Sequence, residues 1–358
     1  MNSKEVTQNL LLNKKSERIG LYENIWPDTL KRWENEGYPS GVPPQDYFCF
    51  DINRVGKTFD VYPKRGIHEL IEDSEEWSII RNGAGATFKY WKNKSGTPEH
   101  ISFLMTSPEV WSNEYRDYLL DIDLNRFSFA ESKNAFDTLH EQGKWICYNG
   151  SFIWETMRQS LGDICMYESL ALEPEWVHDY NEVYTSFFIH HYKVLFERVG
   201  IPNGIWLSED LGYKNGLFCS VSMLEELFYP YYKKLVDFFH TYGISVILHS
   251  CGNIERALPL IVKIGFDALH PMERKAGCDP LKLAEQYGDH LAFIGGLDAR
   301  ILENGDHSLI KREVLKLING MKSLGASYFF ASDHSLSTLV SFESYRYALN
   351  IYESNKHY

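Results

Sequence analysis

Residues 245–273 read SVILHSCGNIERALPLIVKIGFDALHPME. The stretch opens on an apolar run, Ser245–Ser250, passes through a helical segment, Ile254–Ile264, and closes on a second apolar run, Ala268–Met272. Short apolar runs joined by a helix are the pattern of a βαβ unit with parallel strands. The alternation is regular from residue 144 onward. Further strands are expected at Trp145–Asn149, Ile205–Glu209, Ala292–Gly295 and Ser327–Ser332. Helices are expected at Pro174–Val199, Pro280–Tyr287, Leu309–Lys322 and Phe342–Ser354. Another helix starts at a capping box, Ser222 with Glu225, and runs to Gly243; Pro230 inside it predicts a kink.

Six strands need two more to close an eight-stranded barrel, and Arg18–Ile25 and Thr58–Tyr62 are the best candidates. The alternating segment Glu76–Trp91, with Asn82-Gly83 at its centre, reads as a hairpin decorating the barrel. The expected fold is therefore α/β, a (β/α)8 barrel of the triosephosphate-isomerase type. It occupies residues 1–358 as one domain, with residues 1–130 as an elaborated N-terminal third and 144–358 as regular βα units.

Composition bounds the function. The 358 residues are 44% hydrophobic and 24% charged, as in an ordinary globular chain. A net charge of −13 argues against nucleic acid or an anionic membrane surface as a partner, since both call for clustered cations. No apolar run approaches the ~18–20 residues that span a bilayer. The N-terminus lacks the apolar centre of a signal peptide, so a soluble, cytoplasmic protein is expected. The six scattered cysteines form no CxxC pair and read as reduced thiols.

In such barrels chemistry gathers at the C-terminal ends of the strands. Those positions hold Glu209-Asp210, His249-Ser250-Cys251-Gly252, Glu273, Gly295-Gly296 with Asp298, and Asp333-His334. His249 and Cys251 are the most informative. Residues i and i+2 of a strand point to the same side, about 6.6 Å apart. Imidazole nitrogen and thiolate can then share one Zn²⁺ at about 2.0 and 2.3 Å. A core cysteine beside a histidine bonded to a carbonyl would give the same spacing. Asp333-His334 offers a third ligand, or a helix cap or turn. Glu209 and Asp210 could ligate metal, act as a base or orient His249, or pair with Lys214; Asp298 is a further proton-handling candidate. His190-His191 reads as a surface or interface pair, and Gly295-Gly296 as a phosphate loop or a tight strand end.

The chain resembles the uroporphyrinogen decarboxylase superfamily, in particular its corrinoid-dependent methyltransferase branch. The resemblance rests on IWLSEDLGYKNG (205–216), LHSCGNIERALPLIVKIGFDALHPME (248–273), YGDHLAFIGGLDARIL (287–302) and FFASDHSLSTLVSFESYRYAL (329–349). It implies the same barrel and a zinc site in which His249 and Cys251 match a His-x-Cys pair. The family's later cysteine falls on His334, with Asp333 beside it, so the third ligand departs from the pattern. The decarboxylases proper carry an Arg-Gln-Ala-Gly-Arg segment that grips substrate propionates. The corresponding region here, GLYENIWPDTLKRW (20–33), has none, and Met157-Arg158-Gln159 is similar only superficially.

The resemblance thus implies a zinc-dependent enzyme that moves a methyl group between a small substrate, such as a methoxylated compound, and a corrinoid (cobamide) carried by a partner protein. A homo-oligomer is compatible with this reading. The alternatives are a metal-free lyase of the decarboxylase type and a non-catalytic binder of a corrinoid or tetrapyrrole.

Overall fold

The computed structural model describes residues 1–56 and 58–358. Eight parallel strands form one sheet: β1 (Gly20–Leu21), β2 (Ile52–Val55), β3 (Trp145–Gly150), β4 (Gly204–Ser208), β5 (Ser245–His249), β6 (Ala268–His270), β7 (Ala292–Ile294) and β8 (Tyr328–Phe330). Each pairs with its sequence neighbour from β2 to β8, and β1 pairs with β8 in the register Gly20↔Phe329. The remaining seam, between β1 and β2, is bridged by the Asp51 N–H, which donates to the Leu21 carbonyl at 2.8 Å. The sheet is a (β/α)8 barrel, as the alternation predicts.

Alternate residues of each strand point inward. Tyr22, Ile52, Trp145, Cys147, Trp206, Ile247, Ala292 and Phe329 fill the barrel as a cluster of their own. The first helix, Ser3–Leu11, plugs its N-terminal end with Val6, Leu10 and Leu11. The larger core lies between the strands and the outer helices. Among the described residues, no helix is long and apolar enough to cross a membrane.

Asp51 holds the seam. Its buried carboxylate accepts a bidentate pair of bonds from Arg18, both at 2.7 Å, one from the Leu21 N–H at 2.7 Å and one from the Ser3 hydroxyl at 2.5 Å. Glu23 fastens the next junction: it accepts the Ser332 hydroxyl at 2.6 Å and the Ser332 N–H at 3.0 Å, joining the ends of β1 and β8.

Two expected elements differ. The second strand is Ile52–Val55 rather than Thr58–Tyr62. The TFDVY run instead packs outside the barrel, where Phe59 meets Phe127, Phe187 and His191. The capping residue before the helix that ends at Thr241 is Ser220, not Ser222; its Oγ accepts the Met223 N–H at 3.1 Å. The predicted kink is a break: a π turn, Leu224–Phe228, precedes the helix Tyr229–Thr241, because Pro230 has no N–H to continue the ladder. His191 is likewise no surface residue. It is buried, with Nδ1 at 2.8 Å from the Phe187 carbonyl, and burial pushes its pKa down to about 4.

The expected hairpin is present and belongs to a larger antiparallel sheet, His68–Asp73, Trp77–Asn82, Ala86–Trp91 and Glu99–Phe103, inserted between β2 and β3. The Asn82 side-chain oxygen accepts the Ala84 and Ala86 N–H groups at 2.9 and 3.1 Å and so shapes the turn.

Two stability experiments follow. Asp51→Asn leaves Arg18 without its buried partner, and denaturant titration should show a loss of roughly 3–5 kcal/mol; an unchanged midpoint would remove Asp51 from the seam. Burial raises the Glu23 pKa from 4.5 to about 7. The folded chain therefore binds a proton that the unfolded chain releases, and Glu23's contribution to stability is lost as pH rises from 4.5 through about 7. Glu23→Gln should flatten that part of the stability–pH curve, measured between about pH 5 and about pH 8.

Candidate metal centre

β4 and β5 are adjacent and in register, His249 opposite Ser208, so the residues after each strand emerge side by side. The Glu209 N–H donates to the His249 carbonyl at 2.8 Å, and the Cys251 N–H donates to Asp210 Oδ1 at 2.8 Å. These bonds set Asp210 against the His249-Ser250-Cys251 turn. His249 Nε2 lies 3.6 Å from Cys251 Sγ and 3.6 Å from Asp210 Oδ1. All three atoms lie within 4.8 Å of one another, a spacing that one ion can bridge.

Gly252 makes the turn possible. Its φ is +80°, and a Cβ there would stand 2.4 Å from the Gly212 carbonyl carbon. Glu273, at the end of β6, accepts the Gly252 N–H at 2.7 Å and pairs with Lys275 at 3.0 Å, so it clamps the turn from the far side. Gly295 answers the other glycine question: a Cβ there would lie 2.4 Å from the Pro271 carbonyl oxygen, a tight strand end.

Behind His249 stands a residue that the sequence reading did not single out. His270, its partner across β5 and β6, brings Nδ1 to 2.6 Å from His249 Nδ1. Burial lowers the pKa of both imidazoles, His270 well below the usual value, so both are neutral and one Nδ1 donates to the other. With His249 as donor, its Nε2 lone pair faces Cys251 and Asp210, the tautomer a metal needs. The signal was available: His249 and His270 end consecutive parallel strands at matching positions.

The other expected site residues fall elsewhere. Glu209 is buried in the wall, where it accepts the Trp154 N–H at 2.9 Å and bonds from the Phe152 N–H and the Tyr232 hydroxyl. Burial pushes its pKa up to about 8. It is a fastener of the loop after β3 and does not face the centre. Asp333 accepts the Arg274 and Ala299 N–H groups at 2.7 and 2.9 Å, which occupies one bond on each oxygen. His334 turns Nδ1 toward the Ser335 carbonyl at 3.3 Å and meets Trp26 edge-on. Both stand outside the group formed by Asp210, His249 and Cys251. Asp298 is held by Arg300 at 2.6 and 2.8 Å and caps the helix Ala299–Asn304.

A cavity of about 390 Å³ opens beside Cys251 and Asp210. Phe88 and Tyr90 of the inserted sheet cover it, and Glu155 and Arg158 of the helix Ile153–Leu172 line its side. Burial, then the charge of Asp210, raises the Glu155 pKa to about 7. Arg158 is shared between Glu155 at 3.4 Å and Asp163 at 2.6 Å. The segment set aside in the sequence as a superficial likeness thus contributes Arg158, and beside it Gln159, to the cavity wall. Glu155 gave no sequence signal, because it lies on a helix start rather than a strand end.

Comparison with known proteins bears on this geometry. A methyltransferase from Methanosarcina mazei superposes over 99% of this chain and 99% of its own, with a TM-score of 0.71 and 13% identity, which establishes a shared fold. Xylanase B from Clostridium stercorarium F9 (TM-score 0.37, 11% identity, 63% of this chain and 83% of its own) and an AP endonuclease of family 2 from Brucella melitensis (0.35, 13%, 65% and 86%) are more remote. No curated protein matches the sequence. The model of the family described as uroporphyrinogen decarboxylase (URO-D) matches residues 166–354, more than half of the chain and the part that carries β4 to β8. The chain belongs to the uroporphyrinogen decarboxylase family.

Proposed function

We propose that this protein is a zinc-dependent methyltransferase that moves a methyl group between a small methylated substrate and a corrinoid carried by a partner protein. The observation that supports it most is the convergence of His249 Nε2, Cys251 Sγ and Asp210 Oδ1 at the C-terminal mouth of the barrel. One imidazole, one thiol and one carboxylate form a competent zinc donor set. His270 fits the same purpose, since it can fix the His249 tautomer from behind. A solved structure that shares this fold over 99% of the chain is described as a methyltransferase.

In this reading Asp210, His249 and Cys251 hold the metal, and Asp210 takes the place expected for His334 or Asp333. Bound zinc would supply a Lewis acid for an ether, thioether or amine leaving group, or a lowered pKa for a thiol. The corrinoid would supply the cobalt that carries the methyl group. A carboxylate is a harder ligand than the family's second thiolate, which favours leaving-group activation and hence demethylation of a methoxylated compound. Within the chain, Phe88 and Tyr90 give the cavity an aromatic wall, and Glu155 can hold a proton for the atom that loses its methyl group.

Metal analysis tests the reading. Protein purified without chelator should carry about one zinc per chain and lose it on Cys251→Ala. Zinc-free wild-type protein that takes up none on titration would overturn the proposal and leave the metal-free lyase. Among single variants, Asp210→Ala should weaken zinc binding more than His334→Ala; the reverse order would return the third ligand to His334. His270→Phe should cost about 10–100-fold in zinc affinity by freeing the His249 ring, and unchanged affinity would remove it from the centre.

A further inference from the structure

Arg54 is an arginine on a barrel strand with no acidic partner among the described residues. On β2 the side chain of Ile52 belongs to the barrel interior, so Arg54, two residues on, points to the same side at the mouth. There its guanidinium lies over the rings of Tyr22 and Trp206, with centroids 5.6 and 5.1 Å from Cζ. Two amide oxygens orient it: Asn24 Oδ1 accepts from Nη2 at 3.2 Å and Asn149 Oδ1 from Nη1 at 3.4 Å. Among the described residues no carboxylate pairs with it. Arg158, in the neighbouring cavity, is held between two acids.

The choice of partners matters. Amides fix the direction of a guanidinium without cancelling its charge, whereas a carboxylate would do both. Glu23, the one acid lining the cavity of about 370 Å³ beside Arg54, spends its oxygens on Ser332 and the Asn24 N–H. With Asn149 Oδ1 turned to Arg54, its amide N–H groups find no acceptor among the described residues, so they add donors near the fork. Trp206 neighbours both this group and His249: its ring centroid lies 6.2 Å from that of His249 and 5.1 Å from Arg54 Cζ.

We propose that Arg54, with the Asn149 amide, is the binding site for a single anionic group of the substrate, a carboxylate, sulfonate or phosphate, held beside Trp206, whose ring also neighbours His249 of the metal centre. The planar fork of Arg54 matches the paired oxygens that these groups share. The inference deepens the proposed function and rests on it for the idea that the anchored molecule reaches the centre. One uncompensated arginine also suits a monoanionic tail and not a molecule carrying many carboxylates.

Ligand-observed NMR titration of the full chain with propionate, ethanesulfonate and ethyl phosphate, against neutral propionamide, tests this. At least one anion should bind about tenfold or more tighter than propionamide, and the one that binds best names the group. Arg54→Gln should abolish the preference, and Arg54→Lys should restore only part of it. Asn149→Asp, which supplies Arg54 with its own carboxylate, should abolish it as well without loss of thermal stability, and this variant decides if Arg54→Gln fails to fold. The same titration on chelator-treated Cys251→Ser protein separates this inference from the zinc reading. A preference that persists there belongs to Arg54, whether or not the wild type binds zinc. Equal binding of anions and propionamide, a preference that survives Asn149→Asp, or one that disappears with the metal would each overturn the proposal.

Discussion

This barrel has one junction without strand pairing, between its first two strands. Here the first strand is only two residues long, Gly20–Leu21, and offers too few backbone groups to hold itself. The buried Asp51 carboxylate supplies what is missing. It collects Arg18, the Leu21 N–H and Ser3 at one point, so the β1–β2 junction and the start of the plugging helix are fixed together. Tyr22, Glu23 and Asn24 follow β1, and Arg54 lies three residues beyond Asp51. The half of the mouth opposite the metal centre is therefore positioned by this one carboxylate.

How far the sequence disclosed this depends on range. Strands β3 to β8 were legible, because long helices and short apolar runs in βα order leave little freedom. The strand ends then named His249, Cys251 and Asp210 without knowledge of their distances. β2 was misplaced, since Thr58–Tyr62 has the stronger β-forming composition and only tertiary packing, Phe59 against Phe127 and Phe187, turns it outward. His334 was favoured as third ligand by alignment with a pattern, yet a carboxylate on the neighbouring strand β4 lies nearer. Glu209 and Asp210 are adjacent in sequence and face opposite ways. That difference is invisible to spacing and decides which is a fastener and which can be a ligand.

The centre and the arginine are set up in opposite ways, one neutral and one charged. The two histidines are neutral, because burial lowers both pKa values, so neither ring opposes an incoming cation. Arg54 is oriented by amides, so its charge is intact for an incoming anion. The Trp206 ring neighbours both, 6.2 Å from the His249 ring and 5.1 Å from Arg54 Cζ. The charge of Arg54 is felt at the centre as well, where it adds to the lowering of both imidazole pKa values.

The pairing of β1 with β8 also sets a timetable for the chain at the ribosome. Leu21 cannot meet Phe330 until some 300 further residues have been made, which at ~5–20 residues per second is tens of seconds. Through that interval Val6, Leu10 and Leu11, which end as the plug, have no barrel to enter, and the edge of β8 does not yet exist. Helices such as Pro174–Arg198 can form and stack on β3 and β4 as they emerge, while the N-terminal segment waits exposed. Closure must therefore wait for β8, and a nascent chain stalled before residue 328 would present the partner-less β1 and β7 edges to its neighbours on the polysome.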